Sequence, residues 1–460
     1  MNTTKHNTEL FMKNFLLTDP KVIGISLLFS NEFVQDALKS YYKNSNCNIK
    51  SFSISYVRFK PLTSCVVTYK VELFDKKKNI NSTMYFYTKA YTPPTYQLAK
   101  EKLIETHLNK NKNYSESICF DKEQIILYPY YADTKIRSLY SLLDVRKLRR
   151  VIYKYDPIFV NKSIRISHKK MSFEVIRYKP EKRAVLKIST TCSNNKLDKD
   201  YELSYYIKCY THTRGKMLFD LVNQLAMTIP NIVKPLYYDI EKQYMIFKSI
   251  NSEDVSCLIN SSQFDKVNKL AASMIFKIHN TSLDKTLFPE LAFSDDNFKA
   301  TAFSIINILP DSKEIITKII SDLETNTTKH STIHPVLLHG DYSYEQLLYK
   351  EGKLSVLDFD RASVGEYSID IGNYIAHLLY KDILELDFDA KTFIKEFLDE
   401  YEKNSNFEVD NNKLNYWTAV ALLQLAVKPF RLFENNWNIK IHKILKVVLD
   451  VIENKSIFSI

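Results

Sequence analysis

The chain contains very little glycine. Only six of its 460 residues are glycine, and three of these six fall within residues 339–365. Glycine is favoured where the backbone must turn sharply or approach another group closely, because it has no Cβ. The concentration of half the glycines in one segment therefore indicates that this segment approaches something closely.

Paired cysteines and long apolar runs are also missing. The six cysteines form no Cys-x-x-Cys pair, which argues against a zinc site and a disulfide framework and favours reduced, mostly buried thiols. No apolar run approaches the roughly 18 residues of a membrane span. The chain starts with acids and amides where a signal peptide needs an unbroken apolar region. We therefore expect a cytoplasmic protein that does not enter a membrane.

The charge is mildly basic. The net charge is +11, hydrophobic residues make up 45% and charged residues 25%, which is ordinary for a globular protein. The basic residues come in short clusters, such as residues 76–78 and 146–150, so a solvated basic face is the expected reading. A nucleic-acid-binding protein would show steep salt dependence, and no motif supports that function. The length allows two or three packed units.

The first half of the chain contains a repeat at an offset of 119 residues. Three matches carry it, with the first copy given first: YVRFKP at 56–61 and VIRYKP at 175–180, KAYT at 89–92 and KCYT at 208–211, QIILY at 124–128 and QYMIF at 243–247. Glu101 falls on Asp220 at the same offset, and no insertion is needed. Each copy predicts two alternating strands, a third strand that ends in lysine, a helix and a further strand. This pattern predicts an antiparallel sheet with a helix on one face.

After about residue 250 the apolar residues follow helical spacing, so the second half is predicted to be mainly helical. The glycine-rich segment interrupts this pattern. Its runs VLLHGD and LSVLDFD each end in an acid, on either side of a Glu-Gly turn. They predict short strands and loops, and the chain as a whole is predicted to be α+β.

Four motifs in this region occur together: HGD at 339–341, Gln346, LDFD at 357–360 and DIGN at 370–373. With the sheet pattern and the C-terminal helices, the chain resembles the aminoglycoside phosphotransferase and choline kinase family over roughly residues 170–460. It is also similar to the maltokinase-like branch, which tends to carry Gln where most of the family has Asn.

The resemblance implies a protein-kinase-like two-lobe fold with a duplicated small lobe, an antiparallel sheet plus a helix, at the N-terminus. Residues 1–150 would form an N-terminal cap domain that resembles a small lobe. Residues 151–250 would form the nucleotide-binding small lobe, and residues 251–460 a mainly helical catalytic lobe.

The resemblance also assigns roles to the acids and the amide. Phosphoryl transfer needs an oriented hydroxyl, Mg²⁺ on the phosphates and cationic donors. Asp341 would be the catalytic base, and Gln346 and Asp358 would hold Mg²⁺, which takes oxygen ligands and usually one or two carboxylates. Asp360 either binds the metal or holds Arg361 in an ion pair.

Other polar residues of this region are expected to support the site. Asp370 is expected to be a buried cap of the catalytic loop, and His339 to stabilise that loop. His279 and His377 resemble packing positions, and we assign them no chemistry.

The nucleotide is expected to lie against the second copy. Lys208, oriented by Asp220, would bind the phosphates, and backbone groups from Phe247 to Ser249 would meet the base. Lys89 with Glu101 is the alternative pair from the first copy.

Neither copy has a glycine-rich loop between its first two strands. In the second copy KPEKRA takes that place, so Lys182 and Arg183 either bind phosphate through side-chain charge or belong to an ordinary polar hairpin. The first copy could cap the active site, contact the substrate or mediate a homodimer.

The sequence thus predicts a Mg²⁺-dependent phosphotransferase that moves the γ-phosphate of ATP or GTP to a hydroxyl of a small molecule. A sugar or an aminoglycoside-like compound would be the acceptor. The alternative is a pseudokinase, a nucleotide-binding regulatory or interaction module.

Overall fold

A computed structural model describes most of the chain. The described residues are 17–108, 117–160, 164–166, 171–194, 199–211, 214–282, 296–327, 335–385, 388–405 and 408–453. They form two compact units. Unit 1 comprises Met1–Thr213, Leu236–Lys248 and Phe430–Asn435, and unit 2 comprises Arg214–Pro235, Ser249–Pro429 and Asn436–Ile460. The predicted domain boundaries near residues 150 and 250 stay a prediction.

Unit 1 begins with a five-stranded antiparallel sheet. Its strands are β1 (Cys47–Lys60), β2 (Ser64–Asp75), β3 (Ile80–Tyr91), β4 (Ile118–Phe120) and β5 (Ile125–Pro129). They are hydrogen-bonded in the order β1-β2-β3-β5-β4. The helices of this part of the chain are α1 (Asn31–Tyr42), α2 (Pro93–Leu108), α3 (Ser138–Leu142) and α4 (Val145–Tyr155).

A second antiparallel sheet follows in the same unit. Its strands are β6 (Ile164–Ile166), β7 (Ser172–Lys179), β8 (Arg183–Asn194), β9 (Lys199–Cys209), β10 (Tyr237–Asp239) and β11 (Tyr244–Lys248). Strand β8 pairs with β6, β7 and β9, and β9 continues to β11 and β10. The order β7-β8-β9-β11-β10 therefore repeats the order β1-β2-β3-β5-β4 of the first sheet.

The register confirms the repeat that the sequence predicts. Lys89 lies opposite Val66 in the first sheet, and Lys208 lies opposite Val185 in the second. Both residues of the second pair follow those of the first by the same 119 positions. Period-2 apolar patterning is what fixes such a register, because a slip by one residue would turn the buried face outward.

The two sheets of unit 1 share one hydrophobic core. Tyr87 and Tyr128 of the first sheet stack with ring centroids 4.6 Å apart, and Tyr178 of the second sheet meets Tyr87 edge-on at 6.2 Å. Leu186 and Ile207 belong to the same buried cluster. The alternating apolar residues of both copies thus face a common interior.

Unit 2 is mainly helical. The helices that follow in the chain are α5 (Gly215–Thr228), α6 (Val255–Leu258), α7 (Phe264–His279), α8 (Asp296–Ile308), α9 (Lys313–Thr327), α10 (Ser368–Leu384), α11 (Ala390–Ser405), α12 (Asn411–Leu425), α13 (Lys428–Arg431) and α14 (Trp437–Ile452). Its strands are β12 (Glu253–Asp254), β13 (Val336–Leu338), β14 (Leu347–Lys350), β15 (Lys353–Val356) and β16 (Ser363–Gly365). The predicted helical second half and the α+β class are confirmed.

In helix α7 the spacing of the apolar residues determines which face packs against the neighbouring helix. Its buried residues recur every three or four positions, so one stripe faces the interior. The stripe meets α11, where the Phe264 and Phe393 rings pack edge-on at 4.8 Å. The buried Asn268 donates from Nδ2 to the carbonyl of Phe393 at 2.7 Å, which satisfies a polar group inside this contact.

The cysteines differ in their exposure. All six cysteines are unpaired; three are buried, two are partly buried, and Cys257 is exposed. Among the described residues, no helix combines the length and the apolar character needed to cross a bilayer.

Candidate active site

Residues 336–365 of unit 2 fold into two small antiparallel ladders. Strands β14 and β15 form a hairpin. At its open end the Leu357 N–H donates to the carbonyl of Gln346 over 2.9 Å. Because Asp358 directly follows Leu357, the hairpin places Gln346 and Asp358 at the same end.

The second ladder brings Asp341 to this end as well. Strands β13 and β16 pair with Leu338 opposite Ser363. The loop that carries Asp341 leaves β13, and a 3₁₀ turn at Phe359–Arg361 leads into β16. The sequence-predicted base and the residues after Asp358 are therefore neighbours.

Asp370 anchors the loop that carries Asp341. Its carboxylate is fully buried at the start of α10. Oδ2 accepts the His339 N–H at 2.7 Å, Oδ1 accepts the Gly340 N–H at 2.8 Å, and His279 Nε2 lies 3.2 Å from Oδ2. A buried carboxylate needs such donors because its desolvation is costly. The prediction that Asp370 caps the loop is confirmed, and His279 supports this cap.

His339 is fully buried between the two ladders. Its Nε2 lies 2.7 Å from the carbonyl oxygen of Leu357, and its Nδ1 lies 3.3 Å from the backbone nitrogen of Asp341. The imidazole is thus bonded on both sides to backbone groups. This geometry supports the predicted loop-stabilising role.

Asp341 meets a cation that the sequence did not assign to it. Arg361 Nη1 lies 3.3 Å from Oδ1 of Asp341, and the two side chains are 63% and 25% exposed. An ion pair this exposed adds little to stability. The carboxylate remains accessible to a hydroxyl arriving from solvent, as a general base must be.

Gln346 and Asp358 provide oxygen ligands of the kind that Mg²⁺ prefers. Gln346 is only 9% exposed, and its side-chain amide makes no hydrogen bond to any other described residue. Across the described ranges, no group of three or more His, Cys, Asp or Glu side chains is arranged to hold a metal. One amide and one carboxylate nevertheless fit Mg²⁺, since phosphate oxygens and water usually complete its shell.

The backbone at Asp358 is unusual. Its φ is 63° and its ψ is 62°, in the left-handed region that non-glycine residues seldom occupy. Residues held in this region are frequent at functional sites. Asp360 lies in the following 3₁₀ turn, and its two predicted roles both stay predictions.

Gly340 explains why this segment contains glycine. Its φ is +77°, and a Cβ at this position would lie 2.2 Å from the carbonyl oxygen of Arg361. A glycine at this position therefore lets the loop that carries Asp341 approach the backbone of Arg361. The sequence-based inference that the segment approaches nucleotide and metal stays a prediction. Gly352 has φ +82° in the β14–β15 turn, where a Cβ would meet only Lys266 Nζ at 3.7 Å.

The predicted nucleotide-binding residues of the second copy lie on its sheet or next to it. Lys208 is on β9, with Nζ 5.8 Å from the ring centre of Tyr210. Arg183 begins β8, Phe247 lies on β11, and Ser249 follows that strand. Their roles toward a nucleotide stay predictions.

Asp220 on α5 already has a cationic neighbour. Lys216, four residues earlier, places Nζ 2.5 and 2.8 Å from the two carboxylate oxygens of Asp220. This is a common arrangement on a helix surface. The predicted pairing of Asp220 with Lys208 stays a prediction.

Lys89, the alternative phosphate ligand, is engaged elsewhere. Its Nζ lies 2.6 Å from Oε1 of Glu181, and both side chains are mostly buried. Glu101, its expected partner, instead accepts a hydrogen bond from Gln97 at 2.9 Å. The contact with Glu181 could not be predicted from the sequence, because it joins residues from different copies.

Sequence reasoning also missed a charged cluster next to Gln346. Lys428 Nζ lies 2.6 Å from Oε1 of Glu345, and His377 Nδ1 lies 4.0 Å from the same oxygen. Burial holds the pKa of His377 below its usual range, while the charge of Glu345 opposes this effect. The only signal for this cluster was that Glu345 directly precedes Gln346.

The chain is similar to solved structures at low sequence identity. No family model and no curated protein sequence matches the chain. Solved structures that match include a spectinomycin phosphotransferase in complex with ADP and spectinomycin (13% identity, TM-score 0.46, 67% of this chain and 97% of that one). A choline kinase from Cryptosporidium parvum Iowa II (14%, 0.45, 68% and 98%) and a Plasmodium vivax ethanolamine kinase (12%, 0.44, 67% and 90%) also match.

These structures are of the kinds that the motifs predict. The resemblance to aminoglycoside phosphotransferases and choline kinases rests on the motifs of this chain. The specific similarity to the maltokinase-like branch stays a prediction. Because identities and TM-scores are low, function is inferred from the residues of this chain and not from the likeness.

Proposed function

We propose that the protein is a small-molecule kinase that moves the γ-phosphate of ATP or GTP to a hydroxyl group with the help of Mg²⁺. The observation that carries this proposal is the meeting of Asp341, Gln346 and Asp358 at one end of two paired ladders. Phosphoryl transfer requires a group that orients the hydroxyl and oxygen ligands for a metal on the phosphates. These three side chains supply those groups.

Asp341 would orient the acceptor hydroxyl and take its proton. As the new bond between the acceptor oxygen and the γ-phosphorus forms, the bond to the leaving β-phosphate oxygen breaks, and the proton passes to Asp341. Arg361 contacts Oδ1 of Asp341, which leaves Oδ2 for the proton. The anchor at Asp370 keeps the loop in place, and such positioning is a large part of phosphoryl-transfer catalysis.

Gln346 and Asp358 would hold the Mg²⁺, with Asp360 as a further candidate ligand. When bound, the metal would neutralise charge on the phosphates. The side chain of Gln346 supports this assignment because it is buried and has no protein partner among the described residues.

The second copy would bind the nucleotide. Lys208, with Asp220 as its acid, would meet the phosphates, Arg183 would add side-chain charge, and the backbone from Phe247 to Ser249 would meet the base. Lys208 is preferred to Lys89 because its copy leads directly into the helical second half of the chain.

The acceptor would be a sugar or an aminoglycoside-like compound. A cytoplasmic location and a homodimer stay predictions from the sequence.

The proposal is tested by incubating the protein with ATP·Mg²⁺ or GTP·Mg²⁺ and a panel of sugars and aminoglycosides, and following phosphorus NMR spectra. A new phosphomonoester signal is expected. Asp341→Asn should reduce its rate by about 10²- to 10⁴-fold, the range of general-base catalysis, and should retain nucleotide binding. Asp399→Asn, an exposed acid on α11, is the matched control.

The other outcomes separate the alternatives. Nucleotide binding without transfer to any acceptor would support the pseudokinase hypothesis. If the protein showed no nucleotide binding and no phosphate transfer, both the kinase and the pseudokinase hypotheses would be contradicted.

A further inference from the structure

The turn between β7 and β8 takes the place where other kinases have a glycine-rich loop. It contains Pro180, Glu181 and Lys182 and leads directly to Arg183. Glu181 has φ 60°, and the Lys182 N–H donates to the carbonyl of Lys179 at 3.1 Å. The turn therefore has a defined backbone although it contains no glycine.

The first copy holds this turn by two cationic side chains. Arg58 donates from Nη2 to Oε2 of Glu181 at 2.6 Å and from Nη1 to the carbonyl of Pro180 at 2.8 Å. Lys89 donates to Oε1 of Glu181 at 2.6 Å. Each oxygen of the carboxylate thus has its own cation.

Asp133, which follows the first sheet, holds the same turn from the backbone side. Its Oδ2 accepts the Glu181 N–H at 2.8 Å and the Tyr178 hydroxyl at 2.8 Å. Two carboxylates and two cations, those of Arg58 and Lys89, therefore enclose the turn.

The burial of this network makes it costly to break. The side chains of Arg58, Lys89 and Glu181 are 10%, 15% and 7% exposed. Burial alone would raise the pKa of Glu181, but the charges of Lys89 and Arg58 outweigh it and lower that pKa. Removing one partner would leave an uncompensated buried charge.

The equivalent turn of the first copy lacks this device. Leu62 occupies the position 119 residues before Glu181 and has nearly the same φ, 58°. Its side chain is 49% exposed, and its N–H bonds to Asp19 at 2.6 Å. The left-handed turn is thus common to both copies, whereas the buried glutamate belongs to the second copy alone.

We propose that the first copy is a positioning device for the phosphate-binding turn of the second: Arg58 and Lys89 hold Glu181 so that Lys182 and Arg183 face the phosphates from a fixed backbone. This inference rests on the proposed function. A turn that binds through side chains must be ordered before it binds tightly, and prior ordering lowers the entropic cost of binding. Lys89, equivalent to the proposed phosphate ligand Lys208, would then serve the site through Glu181.

Lys89→Met and Glu181→Gln test this role, and Lys89→Arg is the conservative rescue. Lys100→Met is the matched control, because it removes a more exposed ion pair, with Asp121, from the first copy. Two measurements are made on the full chain. The first is amide hydrogen exchange, without nucleotide, in peptides that cover residues 178–185 and, as a reference in unit 2, residues 347–356. The second is calorimetric binding of ATP·Mg²⁺ and of adenosine.

In Lys89→Met and Glu181→Gln, exchange in 178–185 should rise roughly tenfold while the reference stays unchanged, since local opening is reported residue by residue. ATP·Mg²⁺ should bind about tenfold more weakly, and adenosine, which lacks phosphates, should bind as before. Lys89→Arg and Lys100→Met should behave like the wild type.

Three results would overturn the inference. Unchanged exchange in 178–185 would show that the pair does not order the turn. Increased exchange in both peptides would show that it serves overall stability only. If ATP and adenosine binding were weakened equally, or not at all, the order of the turn would be irrelevant to phosphate binding. Absence of ATP binding by the wild type would refute the proposed function itself and with it the phosphate role, whereas the exchange data would still show whether the turn is restrained.

Discussion

The Nε2 of His339 donates a hydrogen bond to the carbonyl oxygen of Leu357 over 2.7 Å. A carbonyl can only accept, so the proton is on Nε2, and Nδ1 is left to accept the N–H of Asp341 at 3.3 Å. The neutral imidazole thus connects Leu357, the residue before Asp358, to Asp341. One side chain sets the spacing between the proposed base and the proposed metal ligand.

The substitution His339→Phe tests the link that His339 makes between Leu357 and Asp341. The ring would keep its packing against Phe359, whose centroid lies 4.6 Å away, but the Leu357 carbonyl would lose its donor. We expect a loss of about 1–3 kcal/mol in the free energy of unfolding, the cost of an unsatisfied buried group. We also expect a lower turnover number with little change in nucleotide affinity. Urea unfolding measures the stability and steady-state kinetics the turnover number. An unchanged turnover number would contradict a role of His339 in linking Leu357 to Asp341.

Gly340→Ala and Gly352→Ala form a matched pair, because both glycines have positive φ. At Gly352 the added methyl has room, so we expect only the left-handed penalty of about 1–2 kcal/mol. At Gly340 the methyl would collide with the backbone of Arg361. We expect a clearly larger loss of stability there, together with loss of phosphotransfer. Equal effects in thermal unfolding would show that the approach to Arg361 is not tight.

Two substitutions of Gln346 test whether its amide oxygen belongs to the proposed metal site. Gln346→Asn keeps an amide oxygen and should retain Mg²⁺-dependent nucleotide binding. Gln346→Leu keeps the volume but removes the oxygen, and it should weaken that binding by roughly tenfold, as expected when one oxygen ligand of a Mg²⁺ site is lost. Calorimetry with and without Mg²⁺ distinguishes the two. Equal affinity in all three proteins would remove Gln346 from the metal site.

His377 should make stability depend on pH. Its usual pKa is 6.5 and burial lowers it in the folded protein, so the unfolded chain binds a proton first as the pH falls. The free energy of unfolding should therefore decrease as the pH falls through about 6.5, with a slope of at most about 1.4 kcal/mol per pH unit from this group. The facing charges are Glu345, Lys428, Asp341 and Arg361.

His377→Gln should flatten this part of the pH dependence in urea unfolding. His442→Gln is the control, because His442 is partly exposed and lies beside Asp311. If both variants kept the slope of the wild type, His377 would not be its source.

The repeat and the helical half could be predicted because each leaves a pattern along the chain, whereas the cap at Asp370 was expected from the family resemblance that the DIGN motif carries. Identical residues at one offset reveal the repeat, and 3.6-residue spacing reveals the helices. Helix α4 was missed, although its N-cap Asp144 and its buried Leu148 and Ile152, four residues apart, were visible signals.

Contacts between distant residues could not be predicted. Lys89 and Glu181 are joined only by packing of the two sheets, and Arg361 meets Asp341 only because β13 pairs with β16. No spacing rule encodes such partners. The same holds for Lys428 and Glu345, which belong to distant parts of unit 2.

In the proposed function, Gln346 and Asp358 of unit 2 hold the Mg²⁺ that binds the nucleotide phosphates. The most direct measurement is calorimetric binding of ATP and GTP, with and without Mg²⁺, to the wild type, Asp358→Ala and the exposed control Asp399→Ala. We predict Mg²⁺-dependent binding to the wild type and the control, and at least roughly tenfold weaker binding to Asp358→Ala, since the substitution removes the proposed charged metal ligand. No Mg²⁺-dependent binding to the wild type, or undiminished binding to Asp358→Ala, would contradict the claim.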